Sequence, residues 1–395
     1  MQPFPRSRDF LRQIAHSDSS RILDWIRTLP FASWTSEIYR ATLDKDRDLV
    51  RLPDSIYLAE KALALDLESR IEPRLPDALC SFRKGRSAEE VIRDFASLGA
   101  AHGKAPLFVL RRDVENYTDS IPLGDHAPLW RLLADFGVPE RDVEAIRTLL
   151  RAPVRARGSD REFSRSVGIS TGSSLTPPIA NLYLNSLDLA ALGVPGAFYR
   201  RYGDDFVFAH SEKEVAASFA ARIPGILKPL GLREKTEKSA DLAWTSRGGP
   251  ASTARFEERQ YVDLLGIRVH RSRGPRLPPK KMKALLERFR LRMRIVRDEV
   301  PNESSDSRAY RLCRAAETQF GPGQFGQDPS FRRMRALCTD PGAWREFDRE
   351  VCGTIALLAA DRPLPYAFRD YSPRDLIRRF GFRPPGHLWG AYGSR

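Results

Sequence analysis

Between residues 55 and 100 the apolar positions recur at helical spacing, first through SIYLAEKALALDLESRIEPRL, then, after a break at Pro76, through SAEEVIRDFASLGA. Ser87 followed by Glu90 is a capping-box arrangement and predicts a clean start for the second helix. The run PLFVLRRDV is apolar and β-branched, which predicts a strand running into the aspartate at 113. Residues 123–152 return to helical spacing, with Trp130, Leu132, Leu133 and Phe136 as core candidates. A basic loop, VRARGSDREFSR, and a Gly/Ser/Thr/Pro segment then open a further amphipathic helix, PIANLYLNSLDLAAL. The pattern AFYRRYGDDFVFAH predicts a β-hairpin, two aromatic-rich strands around Gly-Asp-Asp. Residues 212–230 predict a helix and YVDLLGIRVH a strand. From 278 onward PPKKMKALLERFRLRMRIVRDEV predicts an amphipathic helix with one face crowded by Lys and Arg, and helical stretches follow near 305–320 and 340–360. Residues 362–395, rich in Pro, Gly and Arg, predict little regular structure, and the SRGPRLPP stretch predicts a boundary near 272. Helices preceding strands in this order place the chain in the α+β class.

Composition narrows the class. The 395 residues suit two or three subdomains sharing a core, and 42% hydrophobic residues exclude wholesale disorder. Lys and Arg number 65 against 51 Asp and Glu, a formal net charge of +14. A basic surface of that size points to an acidic polymer, nucleic acid before membrane. Cys80, Cys313, Cys338 and Cys352 lie far apart, with no pair at metal-ligand spacing, and read as small buried hydrophobes in a reducing compartment. The first twenty residues hold no apolar core of signal-peptide length, and the longest apolar run, Ile355 to Ala360, falls far short of a membrane span. The expectation is a cytoplasmic protein with no membrane partner.

The hairpin carries the first candidate chemistry. Asp204 and Asp205 sit between two apolar strands, where paired carboxylates repel and lose hydration unless a cation compensates them. Magnesium, a hard divalent cation that takes oxygen ligands, is the natural compensation. The competing reading is a solvated turn without a role. Asp113, at the end of an independent strand, shifts the balance, because two strands delivering three carboxylates to one spot suit a pair of metal ions about 3.5–4 Å apart. Such a clamp activates an attacking 3′-hydroxyl and stabilises a departing pyrophosphate.

These residues fall within a series of blocks that resembles the bacterial reverse transcriptases of the group II intron-related lineage. The resemblance runs from about residue 47 to 270. SFRKGRSAEEVI (81–92) resembles the fingers block, RRDVENYTDSI (111–121) the first palm motif, and GISTGSSLTPPIANLYLNSLD (168–188) the second. RYGDDF (201–206) resembles the Tyr-x-Asp-Asp hairpin, GLREKTEKS (231–239) the fourth block with Lys238 at its lysine, and LLGI (264–267) the primer-grip block. The order and spacing of all six carry the signal, since any one alone is weak.

The resemblance implies an α+β right-hand polymerase. Its N-terminal helical region and fingers would occupy 1–105, a palm with an antiparallel sheet 106–270, and a basic helical thumb with extension 271–395. It implies an RNA-directed DNA polymerase that adds dNTPs to a 3′-hydroxyl with two Mg²⁺ ions, Mn²⁺ being an alternative. Asp113, Asp204 and Asp205 would be the metal ligands, with the Val114 carbonyl as an extra oxygen, and Lys238 a charge clamp or general acid at the pyrophosphate. Gly172 would let the backbone approach the nascent base pair, and Ser173 and Asn181 would contact template or nucleotide. Arg83 and Arg86, with Lys45, Arg47 and Arg51 as further candidates, would neutralise triphosphate or template phosphate. Lys280, Lys281, Lys283, Arg288, Arg290, Arg292 and Arg294 would hold the template–primer duplex through its phosphates. The partners implied are an RNA template, a DNA product and dNTPs.

Two departures from the family pattern bear on specificity. The bulky aromatic that relatives place five residues after the first aspartate is replaced by Thr118, with Tyr117 one residue earlier. Ser170-Thr171 stands where Pro-Gln usually precedes the glycine. No Cys/His endonuclease cluster follows the basic helix, and RSRGPRL lacks the Val-Thr-Gly element of retron enzymes. These features resemble most the stand-alone, defence-associated reverse transcriptases, which implies a dedicated non-coding RNA as template and an antiviral role. Untemplated or protein-primed DNA synthesis, a diversity-generating retroelement enzyme and a non-enzymatic RNA-binding scaffold are the alternatives.

Overall fold

The computed structural model describes residues 36–42, 46–51, 54–156, 162–170, 172–246, 255–321, 326 and 328–388. Contacts divide the chain into two compact units, residues 1–88 with 108–241 and residues 89–107 with 242–395. No described helix is long and apolar enough to cross a membrane.

The first unit begins with an antiparallel pair, β1 (Ser36–Thr42) and β2 (Asp46–Arg51), in a stretch that the pattern had not marked as strand. Helix α1 (Asp54–Ile71) follows, and a second helix, α2 (Ala88–Ala101), starts next to the predicted capping pair. Strand β3 (Leu107–Asp113) is buried along nearly its whole length. The helical pattern of 123–152 resolves into α3 (Pro128–Asp135) and α4 (Glu140–Arg151). Between them Gly137 takes φ +78°, a conformation that helix cannot continue through, and Pro139 follows at the N-cap. β4 (Val154–Ala156) lies parallel to β1 and antiparallel to β5 (Glu162–Phe163).

The long helix expected over PIANLYLNSLDLAAL is two short ones, α5 (Thr176–Tyr183) and α6 (Asn185–Leu192). The break at Leu184 has a visible cause. The carbonyls of Ala180 and Asn181, which would accept the next helical amides, are engaged by the Tyr117 hydroxyl and the Arg201 guanidinium. The hairpin forms as expected, from β6 (Phe198–Tyr202) and β7 (Asp205–His210). β7 lies between β6 and β3, antiparallel to both, and its residues 206–210 are buried. Helix α7 (Lys213–Leu227) covers β7 by stacking Phe219 on Phe208 at 4.3 Å.

In the second unit α2 packs by Phe95, stacked on Trp244 with ring centroids 4.6 Å apart. Gly99, one turn further along, is required there because any side chain would overlap the Trp244 indole. Trp244 belongs to β8 (Ala240–Trp244), whose last three residues pair in parallel with β9 (Glu257–Arg259). The single strand expected over YVDLLGIRVH is a hairpin of β10 (Tyr261–Leu264) and β11 (Ile267–His270). Leu265 and Gly266 both take positive φ at its turn, +48° and +78°. A leucine in that conformation is costly, which is why the pattern concealed the turn. A turn then leads into a third strand, β12 (Gly274–Arg276), antiparallel to β11.

The remainder is helical: α8 (Pro279–Asp298), α9 (Ser305–Phe320), α10 (Pro329–Leu337) and α11 (Pro341–Ala360). They share an aromatic core in which Phe320 meets Phe289, Phe331 and Phe347 at 5.0, 4.9 and 5.5 Å. Residues 362–388, expected to be irregular, form α12 (Tyr366–Asp370), α13 (Pro373–Phe380) and α14 (Pro385–Leu388). Their prolines sit in the first turn of α13 and α14, where the missing N–H costs nothing, and a Ser372–Asp375 capping box starts α13. Cys80, Cys313 and Cys352 are buried free thiols and Cys338 is half-buried, and burial pushes Cys313 up to about 12 and Cys338 up to about 11.

Candidate active site

The hairpin turn consists of two residues, Gly203 and Asp204, since Tyr202 pairs directly with Asp205. Gly203 takes φ +65° at the first turn position, which a type II′ turn reserves for glycine. Asp205 therefore opens β7, and the neighbouring register sets it directly opposite Asp113 on β3. The Val114 amide donates to the Asp204 carbonyl at 3.2 Å, tying the end of β3 to the turn. Asp113 and Asp205 thus face each other where two strands end together, with Asp204 in the adjoining turn.

Their environment is electrostatically uneven. Asp113 is 2% exposed and accepts from Lys238 Nζ at 2.6 Å. Lys238 arrives on a short 3-10 turn, Thr236–Lys238, held by the Lys235 amide donating to the Asp113 carbonyl at 2.7 Å. Its ammonium is pushed up, first by the hydrogen bond to Asp113 and also by the charges of Asp113, Asp205 and Asp204, with burial opposing. Asp205 has no comparable counterion. Its Oδ1 is buried without a hydrogen-bond partner, and burial, then Asp204 and Asp113, push its carboxyl up to about 6.

An unpaired, buried carboxylate oxygen among like charges fits an oxygen-seeking divalent cation. Among the described residues no group of three or more His, Cys, Asp or Glu is placed so that it could hold a metal ion. The aspartates are neighbours, with Lys238 supplying the positive charge on the Asp113 side.

Directly beneath the turn lies a group that sequence reasoning missed. Arg201 and Asp188 are fully buried and paired, with Nη2 to Oδ2 at 2.7 Å and Nε to Oδ1 at 2.7 Å. The same guanidinium donates to the Asn181 carbonyl at 2.8 Å and to the Gly203 carbonyl at 3.1 Å, so one side chain joins α5, α6 and the turn. Tyr199 donates its hydroxyl to Asp188 at 2.7 Å and completes the acceptor's shell. The signal was present in the chain: Tyr199 and Arg201 share one face of β6, and a charge on a buried face requires an acid nearby.

The remaining sequence-derived candidates fall into two sets. Asn181 is buried, with its amide donating to the Ser81 carbonyl and accepting from the Ser81 hydroxyl, both at 2.9 Å. Tyr117 is buried with its hydroxyl on the Ala180 carbonyl at 2.6 Å, and Thr118, next to it, is half-buried. Ser173 donates to Glu60 at 2.6 Å, and the Ser174 amide donates to the other oxygen at 2.9 Å. Glu60, buried on α1 and missed by the pattern, has its carboxyl pushed up by burial, which those two hydrogen bonds oppose. Arg83 is turned inward, donating to Glu72 at 2.8 Å and to the Pro76 and Leu79 carbonyls at 2.7 and 3.1 Å. These side chains hold backbone and loops in place. Gly172, at φ +95°, opens the loop before α5, and Arg86, more exposed, pairs with Asp77 at 2.6 Å. Lys45 and Thr171 lie outside the described residues, as do the side chains of Arg47 and Arg51.

A scan against family profiles matches residues 50–269, more than half of the chain, to the reverse transcriptase (RNA-dependent DNA polymerase) family. The chain belongs to this family. A 131-residue stretch is also 30% identical to an uncharacterised 91 kDa protein in the cob intron of Schizosaccharomyces pombe, covering 33% of this chain and 15% of that one. Among solved structures, the chain is similar to apo telomerase from Candida tropicalis at TM-score 0.48 and 10% identity, over 98% of this chain and 74% of the other. Telomerase from Candida albicans with a fragment of telomeric RNA gives 0.46 and 12%, over 94% and 68%. A Candida tropicalis telomerase truncated from its C-terminal domain gives 0.45 and 11%, over 67% and 59%.

The basic helix expected to grip nucleic acid is α8, and its cations differ in their surroundings. Lys280, Lys283 and Arg294 are exposed, Lys283 with Glu287 3.9 Å away one turn on. Arg288 and Arg290 are paired with Asp328 and Glu350 at 2.6 and 2.5 Å. Lys281 lies against Gly266 and Arg333, and burial, then the Arg333 charge, push its ammonium down. Arg292 is half-buried, with Nε unpartnered. The same exposed face carries Leu291 and Ile295, one turn apart.

Proposed function

We propose that the protein is an RNA-directed DNA polymerase that extends a 3′-hydroxyl with dNTPs at the Asp113, Asp204 and Asp205 cluster. The observation that carries the reading is the register of β3 against β7, which faces Asp113 with Asp205 beside the Asp204 turn and leaves an Asp205 oxygen unpaired. These three side chains would hold the divalent ions, most simply two Mg²⁺, with the Val114 carbonyl as a further oxygen. Bound there, the ions would activate the primer hydroxyl and offset charge on the leaving pyrophosphate. Lys238, already protonated and within reach of the cluster, would stabilise that charge or donate a proton to it. Residues 1–105 would serve as fingers, 106–270 as palm and 271–395 as thumb and extension. The exposed cations of α8 would hold the duplex by its phosphates.

The finer reading is a cytoplasmic enzyme that copies a dedicated non-coding RNA in bacterial antiviral defence. It is supported by the altered palm motifs together with the missing Cys/His cluster and Val-Thr-Gly element, while Thr118 and Ser170-Thr171 also motivate the untemplated alternative. The test is to purify the protein from its host, sequence the nucleic acid that accompanies it, and assay extension with each dNTP and Mg²⁺. A discrete RNA with DNA complementary to part of it establishes templated synthesis. DNA attached to the protein or matching no bound RNA replaces that reading with untemplated or protein-primed synthesis. A neighbouring template repeat would indicate a diversity-generating retroelement, and bound RNA without synthesis a scaffold.

A further inference from the structure

Phe82 is out of keeping with its surroundings. It is 52% exposed, and its backbone takes φ +52°, a left-handed conformation that bulky residues rarely adopt. Its neighbours Cys80, Ser81 and Arg83 are turned inward and fixed. Cys80 and Ser81 are fully buried, the Cys80 amide donates to the Arg201 carbonyl at 2.9 Å, and Ser81 is bound twice by Asn181. On the other side Arg83 is held by Glu72 and two carbonyls, and the Arg86 amide closes the loop on the Arg83 carbonyl at 3.2 Å. The neighbours thus force Phe82 outward on a rigid base. A glycine would adopt this backbone freely, and a polar residue would suit the exposure, so neither local folding nor burial accounts for phenylalanine.

Position supplies the reason. Leu79 bridges Arg201 in parallel, so this segment runs alongside β6 in the same direction. Three residues on from that bridge stand Phe82 in one chain and Asp204 in the other, and both leave the pairing at the same end. An exposed, pre-oriented aromatic face beside the acidic turn, with Lys84 exposed on the same loop, matches the stacking platforms that hold single-stranded bases. We infer that Phe82 stacks on a nucleobase at the polymerisation site, a ligand that either the unpaired template strand or the incoming nucleotide supplies. The inference rests on the polymerase reading of the aspartate cluster.

The test uses the full chain with Phe82 replaced by Gly, Leu and Trp. Anisotropy of a labelled RNA–DNA template–primer, with and without a single-stranded template overhang, reports binding without requiring synthesis, and single-nucleotide extension gives KM for each dNTP. Phe82→Gly and Phe82→Leu are expected to weaken one of the two by about 5- to 100-fold, while Phe82→Trp retains it. Loss confined to the overhang substrate identifies the template base, and a raised KM at unchanged duplex affinity identifies the incoming nucleotide. Phe82→Gly should also leave Tm unchanged or raised, because it relieves the left-handed backbone, and this separates stacking from a structural role. Equal affinity and kcat/KM across all three variants, or a lowered Tm that accounts for the loss, overturns the inference while leaving the polymerase reading intact. Absence of both binding and extension in the unaltered protein overturns the two together.

Discussion

The Gly203–Asp204 turn and the Arg201–Asp188 pair, whose arginine stands two residues before the turn, are opposite in electrostatic character. In the turn, carboxylates face one another across β3 and β7, and Asp205 keeps a buried oxygen without a partner. In the pair, both charges are fully buried and each is matched, with Tyr199 and two backbone carbonyls completing the set. The candidate site leaves that one oxygen unmatched, with Lys238 on the Asp113 side. That is tolerable only on a base whose own charges are satisfied, because an unmatched ion below the turn would add a second desolvation cost.

The largest effect should come from the turn. Asn at 113, 204 or 205 is expected to lower primer extension by at least about 10³-fold, since the charge that would hold the ions is gone. Extension within tenfold of the unaltered protein from any two of them would end the parallel between the cluster and a metal clamp. The Arg201–Asp188 pair ranks next. Asp188→Asn or Arg201→Met leaves one buried charge unmatched, and a loss of about 3–5 kcal/mol is expected in denaturant unfolding. Replacing both with apolar residues should recover most of that stability but not the extension rate, because Gly203 loses its anchor. Full recovery of rate would show that the pair stabilises the fold without positioning the turn.

Lys238→Ala should slow extension by about 10- to 100-fold at saturating dNTP, read as kcat in single-turnover kinetics. A smaller effect sharpens the contrast from the other side, through pH. Asp205 titrates near 6 in the folded protein, above its ordinary value, so its contribution to stability is complete below about pH 4 and is lost as pH rises through 6. Without metal, Tm should therefore decline over that window, by on the order of 1–2 kcal/mol of stability. Asp205→Asn should flatten the decline, and added Mg²⁺ should reverse it above pH 6. A flat profile in the unaltered protein would remove the charge imbalance on which the comparison rests. The smallest effect belongs to α8. Neutralising Lys280, Lys283 and Arg294 should reduce the slope of log affinity against log salt by about 2–3. Neutralising Arg288 and Arg290, already paired with Asp328 and Glu350, should change it by less than 1.

Much of the candidate aspartate cluster was legible because it is local. Strand periodicity marks Asp113 at the end of β3, and Gly-Asp-Asp between aromatic runs marks the hairpin, so both follow from residues within ten positions. The roles of Ser173, Asn181 and Arg83 were not legible. Ser173 and Asn181 are each one partner in a bond to a distant residue, Glu60 being 113 positions from Ser173 and Ser81 100 from Asn181, while Arg83 folds back onto Glu72, Pro76 and Leu79. The β10–β11 turn was hidden for a different reason, since Leu265 adopts a positive φ that its side chain ordinarily disfavours. The helices within 362–388 were hidden because Pro373 and Pro385 read as breakers, whereas tertiary packing let them serve as first-turn residues.

By itself, then, the order of residues determined the α+β class, the hairpin, the basic helix and the identity of three aspartates, because periodicity and turn chemistry act over a few positions. Only the tertiary structure decided that Asp113 faces Asp205, which arginines of α8 are already paired, and that Phe82 stands exposed on a loop locked from both sides. Those outcomes depend on strand register and on side chains meeting across a hundred residues, and no local pattern encodes them.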